Sequence, residues 1–256
     1  MRATFEKTLL AIAFLACFLI AGRTETARAE DEVDLLLVLA ADISRSVDAT
    51  KFALQREGYA AAMINPRIMN AIQSGPQGRI AVCFVEWSGA SAQAVLVDWT
   101  AIGTPAEAEA FSQRLLAAPR LFMERTAIGT AIDFSVQQFA KSPFAGARRV
   151  NDVSGDGTSN AGREVTAARD AAVEQGITIN GLAILSEVPL AFNPQHTHPP
   201  GGLLRYYEDN VIGGFGAFAL AAKGHETFGQ LVSSKLIKEI ASVGAAGGDP
   251  HRISHR

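Results

Sequence analysis

The chain has 256 residues, of which 48% are hydrophobic and 19% charged, with a formal net charge of −3 at pH 7. That is enough apolar material for one sizeable core, and it lacks the basic excess a nucleic-acid footprint needs, so no nucleic-acid partner is expected. Its two cysteines are Cys17 and Cys83.

The chain opens with a targeting pattern. Arg2 and Lys7 precede an apolar run from Leu9 to Ala21, and Ala27-Arg28-Ala29 supplies the small-x-small pattern that signal peptidase cuts after. Residues 1–29 therefore read as a signal peptide, with export to the periplasm or exterior and a mature start at Glu30. Removing them takes four basic and two acidic residues and lowers the formal charge to −5. It also leaves Cys83 alone, so no intramolecular disulfide is expected despite an oxidising destination. No later stretch approaches about 20 apolar residues, so no stable membrane span is expected after cleavage.

From there, apolar runs alternate with amphipathic ones. Val33 to Ala41 reads as a buried strand and Asp48 to Met63 as a helix, with Phe52, Gln55, Tyr59 and Met63 at helical spacing. Arg79 to Trp87 and Ala94 to Trp99 read as an antiparallel hairpin across Ser88-Gly89-Ala90-Ser91. Two helices follow, Pro105 to Ala117, with Thr104 as cap, and Ile128 to Ala140. Then come a strand Arg148 to Ser154, a helix Arg163 to Glu174 and a strand Ile177 to Leu185. After a proline-rich loop from Glu187 to Gly202, the pattern predicts a short helix Tyr206 to Val211, a strand Phe215 to Ala222 and a helix Glu226 to Val243. The alternation implies an α/β domain over residues 30–245. Its sheet is doubly wound, mainly parallel and six-stranded, with one antiparallel edge strand and helices on both faces, and residues 246–256 form a flexible tail. Trp87 and Trp99 are expected to pack at the sheet edge.

In such sheets ligands bind beyond the carboxyl ends of the strands. Asp42-Ile43-Ser44-Arg45-Ser46 follows the first strand there, offering a carboxylate and two hydroxyls at alternate positions. By itself the pattern is weak. Asp and Ser after a strand are common helix caps, and average usage gives an Asp-x-Ser-x-Ser by chance in about one chain in twenty of this length. Two further features fall on the same edge: Asp156-Gly157 after the strand ending at Ser154, and Thr126 just before the helix at Ile128. Two carboxylates and three hydroxyls converging on one point suit a hard divalent cation such as Mg²⁺ or Mn²⁺, with Ca²⁺ as a further possibility. The hardness of an all-oxygen set argues against copper or zinc.

With these three motifs in this order, the chain resembles the von Willebrand factor A domain with its metal-ion-dependent adhesion site, over Val33 to Ala241. The resemblance implies Asp42, Ser44, Ser46, Thr126 and Asp156 as metal ligands. More narrowly, Arg148 to Gly157 together with Val211-Ile212-Gly213-Gly214 resembles a bacterial exported subgroup designated DUF1194. Asp152, in a strand where such domains are mostly apolar, rivals Asp156 for the ligand role. Asp156 is favoured because the following glycine matches the family's turn, and Asp152 is then expected to accept hydrogen bonds from neighbouring loops or to pair with Arg148 or Arg149.

In the proline-rich loop, His196 and His198 invite a Zn²⁺ or Cu²⁺ reading, but no cysteine or further histidine is near in sequence to complete a shell. A solvated loop beside the Asp42 site is favoured, with His196, His198, Tyr206 and Tyr207 as partner-contacting residues. The resemblance implies a binding module without catalytic residues, which captures an acidic group of a protein partner at the vacant position of its cation. A metal-dependent hydrolase or phosphoryl-transfer enzyme is the rival. The chain has no glycine-rich phosphate loop with Lys, no Asp-x-Asp pair and no Gly-x-Ser-x-Gly elbow. A third reading is a domain whose metal only staples its loops.

Overall fold

The structure is a computed structural model that describes residues 31–223 and 228–241. The expected signal peptide, the tail 246–256, His225 and the outermost residues of the expected last helix lie outside the described residues.

Strand β2 (Leu36–Asp42) is buried along its whole length. Its residues alternate between two cores: Leu37 and Leu39 face one side, Val38 and Ala40 the other. Such a strand belongs at the centre of a sheet covered on both faces. It lies between β3 (Ile80–Trp87) and β6 (Arg149–Gly155). With β4 (Gln93–Ile102), β7 (Thr178–Leu185) and β8 (Ala219–Lys223), they form a six-stranded sheet in the order β4-β3-β2-β6-β7-β8. Only the β3–β4 edge pair is antiparallel among these ladders.

One face is covered by α1 (Ala49–Met63), α2 (Pro66–Gln73), α3 (Pro105–Ala117) and α8 (Phe228–Ala241), which bury Tyr59, Ile68, Phe111 and Leu236. The other is covered by α4 (Ile128–Phe139) and α5 (Val165–Glu174), which bury Ile132 and Ala168. The chain winds leftward from β2 to β3 and rightward from β6 to β7, so the winding reverses between β2 and β6. Parallel sheets open a crevice at such a reversal, beyond the strand ends.

Several expectations are corrected. The first strand is two: β1 (Asp31–Val33) pairs with β5 (Phe144–Gly146) in a separate two-stranded sheet. The break falls at Asp34, whose N–H donates to Arg79 O at 2.9 Å and whose carboxylate accepts from Gln77 N at 3.0 Å. Helix α2 was not anticipated, although Asn65-Pro66 is a readable start: the Asn65 side chain accepts from Arg67 N and Pro66 takes the first helical position. The last strand starts at Ala219 instead of Phe215, because Gly214 and Gly216 take φ of 95° and 69°, outside any strand, leaving Phe215 exposed. Trp87 is fully buried in the α4–α5 core instead of sitting at an edge. The proline-rich loop contains a short helix, α6 (Pro194–Thr197), and is followed by another, α7 (Leu203–Tyr206), which runs into a π-helical turn Tyr207–Val211.

Candidate metal centre

Strand β2 ends in Asp42 and β6 runs out into Asp156, so the two neighbouring strands at the reversal carry both carboxylates to the same crevice. Asp42 is fully buried and Asp156 nearly so. The Asp42 Oδ1 atom accepts from Ser44 N at 2.7 Å, which turns the backbone so that both serine hydroxyls face inward. From there a chain of polar contacts crosses the crevice. Thr126 Oγ1 meets Ser44 Oγ at 3.2 Å, Ser44 Oγ meets Ser46 Oγ at 3.2 Å, and Ser46 Oγ donates to Asp156 Oδ1 at 2.5 Å. Thr126 is pinned from both sides: its N–H donates to Asn160 Oδ1 and its carbonyl accepts from Asn160 N, while the next N–H, of Ala127, donates to Ser88 O. All five residues that the motifs single out are thus brought together.

Two observations test whether this cluster fits a cation. The Oδ2 atoms of Asp42 and Asp156 are buried and accept no hydrogen bond, and such oxygens are costly unless something else satisfies them. Burial first, and then the neighbouring Asp156 charge, push the Asp42 carboxyl well above the ordinary carboxylate range, so two ionised carboxylates here call for a counter-charge. Second, ligands adjacent in an octahedral shell of radius about 2.1 Å sit about 3 Å apart, close to the spacing of the hydroxyl row. The residues fit a hard divalent cation. Among the described residues, no group of three or more His, Cys, Asp or Glu is placed to hold a metal ion, so hydroxyls have to provide much of any shell.

Sequence reading did not find the cationic supports. Arg120 donates through Nη2 to the carbonyls of Ile43 at 2.7 Å and Val47 at 2.7 Å, bracing the Asp42 loop from beneath, and its guanidinium stacks over Phe52. Lys51 reaches from the first turn of α1 to Ser46 O at 3.1 Å and lies 3.6 Å from Asp156 Oδ2. Neither has a motif; Lys51 is legible only once Asp48 is recognised as the α1 cap.

The four loop residues separate. His196 is buried, with Nε2 3.4 Å from Thr126 Oγ1 and Nδ1 3.5 Å from Thr158 Oγ1, so the ring abuts the cluster itself. Burial holds its pKa below the usual imidazole value, so it is neutral near pH 7. His198 turns away: it is exposed, and its ring contacts Thr197 Oγ1. The two histidines form no pair. Tyr206 accepts from Ser159 N at 3.1 Å and braces the turn after Asp156. Tyr207 is fully buried behind Gly155, where a methyl in place of hydrogen would meet its hydroxyl at 2.6 Å and Asp42 Oδ2 at 3.0 Å.

Asp152 does not compete with Asp156. It faces α8 and pairs with Lys235 there at 2.5 Å, not with Arg148 or Arg149. Those arginines instead cap backbone carbonyls, Arg148 at Glu239 O and Arg149 at Gln175 O.

A cavity of about 390 Å³ opens beside the cluster, walled by Ser46, Thr126 and His196 and rimmed by Arg45, Arg125 and Phe192. Arg45, Arg125 and Phe192 are exposed. No helix among the described residues is long and apolar enough to cross a membrane.

The fold is shared with solved structures of distant sequence. Pilus adhesin SpaC of Lactobacillus rhamnosus GG, in its open conformation, superposes with a TM-score of 0.59 at 13% identity, covering 82% of this chain and 30% of the adhesin. Proximal thread matrix protein 1 of the mussel byssus, with a zinc-occupied metal-ion-dependent adhesion motif, gives 0.55 at 14% identity, over 84% of this chain and 48% of that protein. BatB of Bacteroides thetaiotaomicron gives 0.50 at 18% identity, over 81% and 99%. The chain thus spans about half the length of the mussel protein and less of the adhesin. No curated protein matches it. The six-stranded sheet, its winding and these likenesses make the fold that of a von Willebrand factor A-like domain, and the model of the family described as "Protein of unknown function (DUF1194)" matches residues 32–244, so the chain belongs to that family.

Proposed function

We propose that this is an exported binding module whose Asp42, Ser44, Ser46, Thr126 and Asp156 hold a divalent cation that helps capture an acidic group of a protein partner. The observation that carries this reading is the pair of buried carboxylate oxygens, Asp42 Oδ2 and Asp156 Oδ2, left without hydrogen bonds at the end of an otherwise bonded row of hydroxyls. When bound, a cation would supply a positively charged contact point for an anion. The chain's own residues would do the rest. Arg120 fixes the loop carbonyls, Asn160 fixes Thr126, and Arg45 and Arg125 on the cavity rim favour an anionic guest. Phe192, 76% exposed on the same rim, gives such a guest an apolar contact. The mussel neighbour, with zinc in its adhesion motif, supports a divalent cation of whatever identity.

The test is capture of a carboxylate-bearing protein or peptide library by immobilised protein, with and without EDTA, alongside Asp42→Ala and Thr126→Ala. Capture that EDTA and both substitutions remove, with circular dichroism unchanged, is the expected result. Asp42-dependent hydrolysis of phosphate esters would transfer the site to the hydrolase reading, and unfolding on chelation would mark the cation as a staple.

A further inference from the structure

We infer that the partner's docking segment carries two acidic side chains beside an apolar one: the first carboxylate meets the cation, the second is held between Arg45 and Arg125, and the apolar group lies against Leu190 and Phe192. The inference rests on the cation reading above and adds what else the partner must present.

Three observations carry it. The two arginines belong to the ligand-bearing segments themselves, Arg45 between Ser44 and Ser46 and Arg125 directly before Thr126. Arg45 N donates to Glu124 O at 2.9 Å, so the two segments are stitched together where both guanidinium arms depart. Second, both arms are free. Nearby Arg120 is tied to loop carbonyls and Arg56 to Glu86 at 2.7 Å. Among the described residues, neither Arg45 nor Arg125 makes a side-chain hydrogen bond or ion pair, and both are exposed. Glu124, the only acidic side chain of the described residues that lines the cavity, lies over Gly89, where a methyl would collide with its Oε2. Third, the loop side of the cavity offers apolar surface that is held in place. Leu190 and Phe192 come from the proline-rich loop, which Thr158 N fastens to the site by donating to His196 O at 2.8 Å and which Leu190 N closes on itself by donating to Thr197 Oγ1 at 3.1 Å.

The charges set the number of acids. A divalent cation offsets the Asp42 and Asp156 carboxylates, and Lys51, 3.6 Å from Asp156, offsets one guest carboxylate on the cation. Arg45 and Arg125 against Glu124 still leave the rim positive, which a second guest carboxylate neutralises. Guanidinium suits that second acid because its planar fork donates to both carboxylate oxygens at once. The cavity, about 390 Å³, is of the size that takes whole small molecules, about 300–1,000 Å³, so it has room for more than a single carboxylate. Phe192 is 76% exposed, and an apolar group of the partner would remove that surface from water.

The experiment selects a phage-displayed random heptapeptide library on the immobilised protein in Mn²⁺, elutes first with EDTA and then with acid, and measures the enriched peptides by fluorescence anisotropy against the wild type and a variant carrying both Arg45→Ala and Arg125→Ala. The expected result is EDTA-eluted peptides with two acidic residues and a neighbouring aromatic or aliphatic one. Changing the second acid to its amide should weaken wild-type binding about tenfold or more and leave binding to the arginine variant unchanged. EDTA-eluted peptides with a single acid, or an amide change that costs both proteins equally, would overturn the acidic pair and leave the cation reading standing. Acidic-pair peptides recovered only by the acid step would overturn the cation's part alone, and no acidic peptides in either step would overturn both.

Discussion

Strand β6 carries the buried Asp152, and the buried Asp156 follows just past its end; the two live in opposite electrostatic regimes. Asp152 faces α8, where Lys235 lies 2.5 Å from it and 2.6 Å from Glu239, and Asn180 Nδ2 adds a hydrogen bond of 2.7 Å to Glu239. All three charged side chains are 0–1% exposed. Asp156, just past the strand's end, has only a looser ion pair, with the partly exposed Lys51 at 3.6 Å. A protein that can satisfy two buried carboxylates with one lysine at the α8 interface leaves two others unsatisfied in the crevice. The difference separates a cluster that fastens a helix from one that awaits a ligand.

The largest expected effect comes from breaking the first cluster. Lys235→Ala leaves Asp152 and Glu239 buried without a cation, a change that typically costs about 3–5 kcal/mol, to be read as a lowered urea midpoint. Loading the second cluster is expected to act in the opposite sense. At a hundredfold excess over Kd a cation stabilises the native state by about 2.7 kcal/mol, and Asp42→Ala should abolish that gain while costing far less by itself than Lys235→Ala. Next is Arg120→Met, which strands the carbonyls of Ile43 and Val47. A loss of about 1–3 kcal/mol together with weaker cation binding would tie the loop's brace to the site.

The pH dependence sharpens the same contrast. Burial and the Asp152 charge push Glu239 up to about 7 in the folded protein, against 4.5 ordinarily. Between those values the folded state holds a proton that the unfolded chain has released. Glu239 therefore lowers stability as pH rises from 4.5 towards 7, with a slope of up to about 1.4 kcal/mol per unit. Urea titrations of Glu239→Gln should show that part of the slope flattened. The smallest effect on stability is expected at the rim: Phe192→Ser should stay within about 0.5 kcal/mol yet weaken partner capture.

Much of this was legible in the sequence. The alternation of apolar runs gave the sheet and its winding, because strands buried on both faces leave continuous hydrophobic runs and helices leave spaced ones. The Asp42, Thr126 and Asp156 segments could be assigned to one edge because all three follow strands or precede helices at that edge. Asp34 hid a strand break inside an apolar run, and a side chain hydrogen-bonding to Gln77 leaves no local signature. Lys235 and Arg120 were invisible as partners because they lie 83 and 78 residues from Asp152 and Asp42. His196 was judged by its neighbours in sequence, where no metal partners stand, whereas its neighbour in space is Thr126, 70 residues away. Long-range pairing of polar side chains is set by tertiary packing and not by local pattern.

The cation site is tested most directly by a thermal melt of the purified protein in EDTA, then with millimolar Mg²⁺, Mn²⁺ or Zn²⁺, for the wild type and Asp42→Ala. A rise in Tm in the wild type that reverses on chelation and is missing in Asp42→Ala is the predicted result. Identical melts under all conditions, or an equal rise in Asp42→Ala, would contradict the claim that the crevice between β2 and β6 is a cation site.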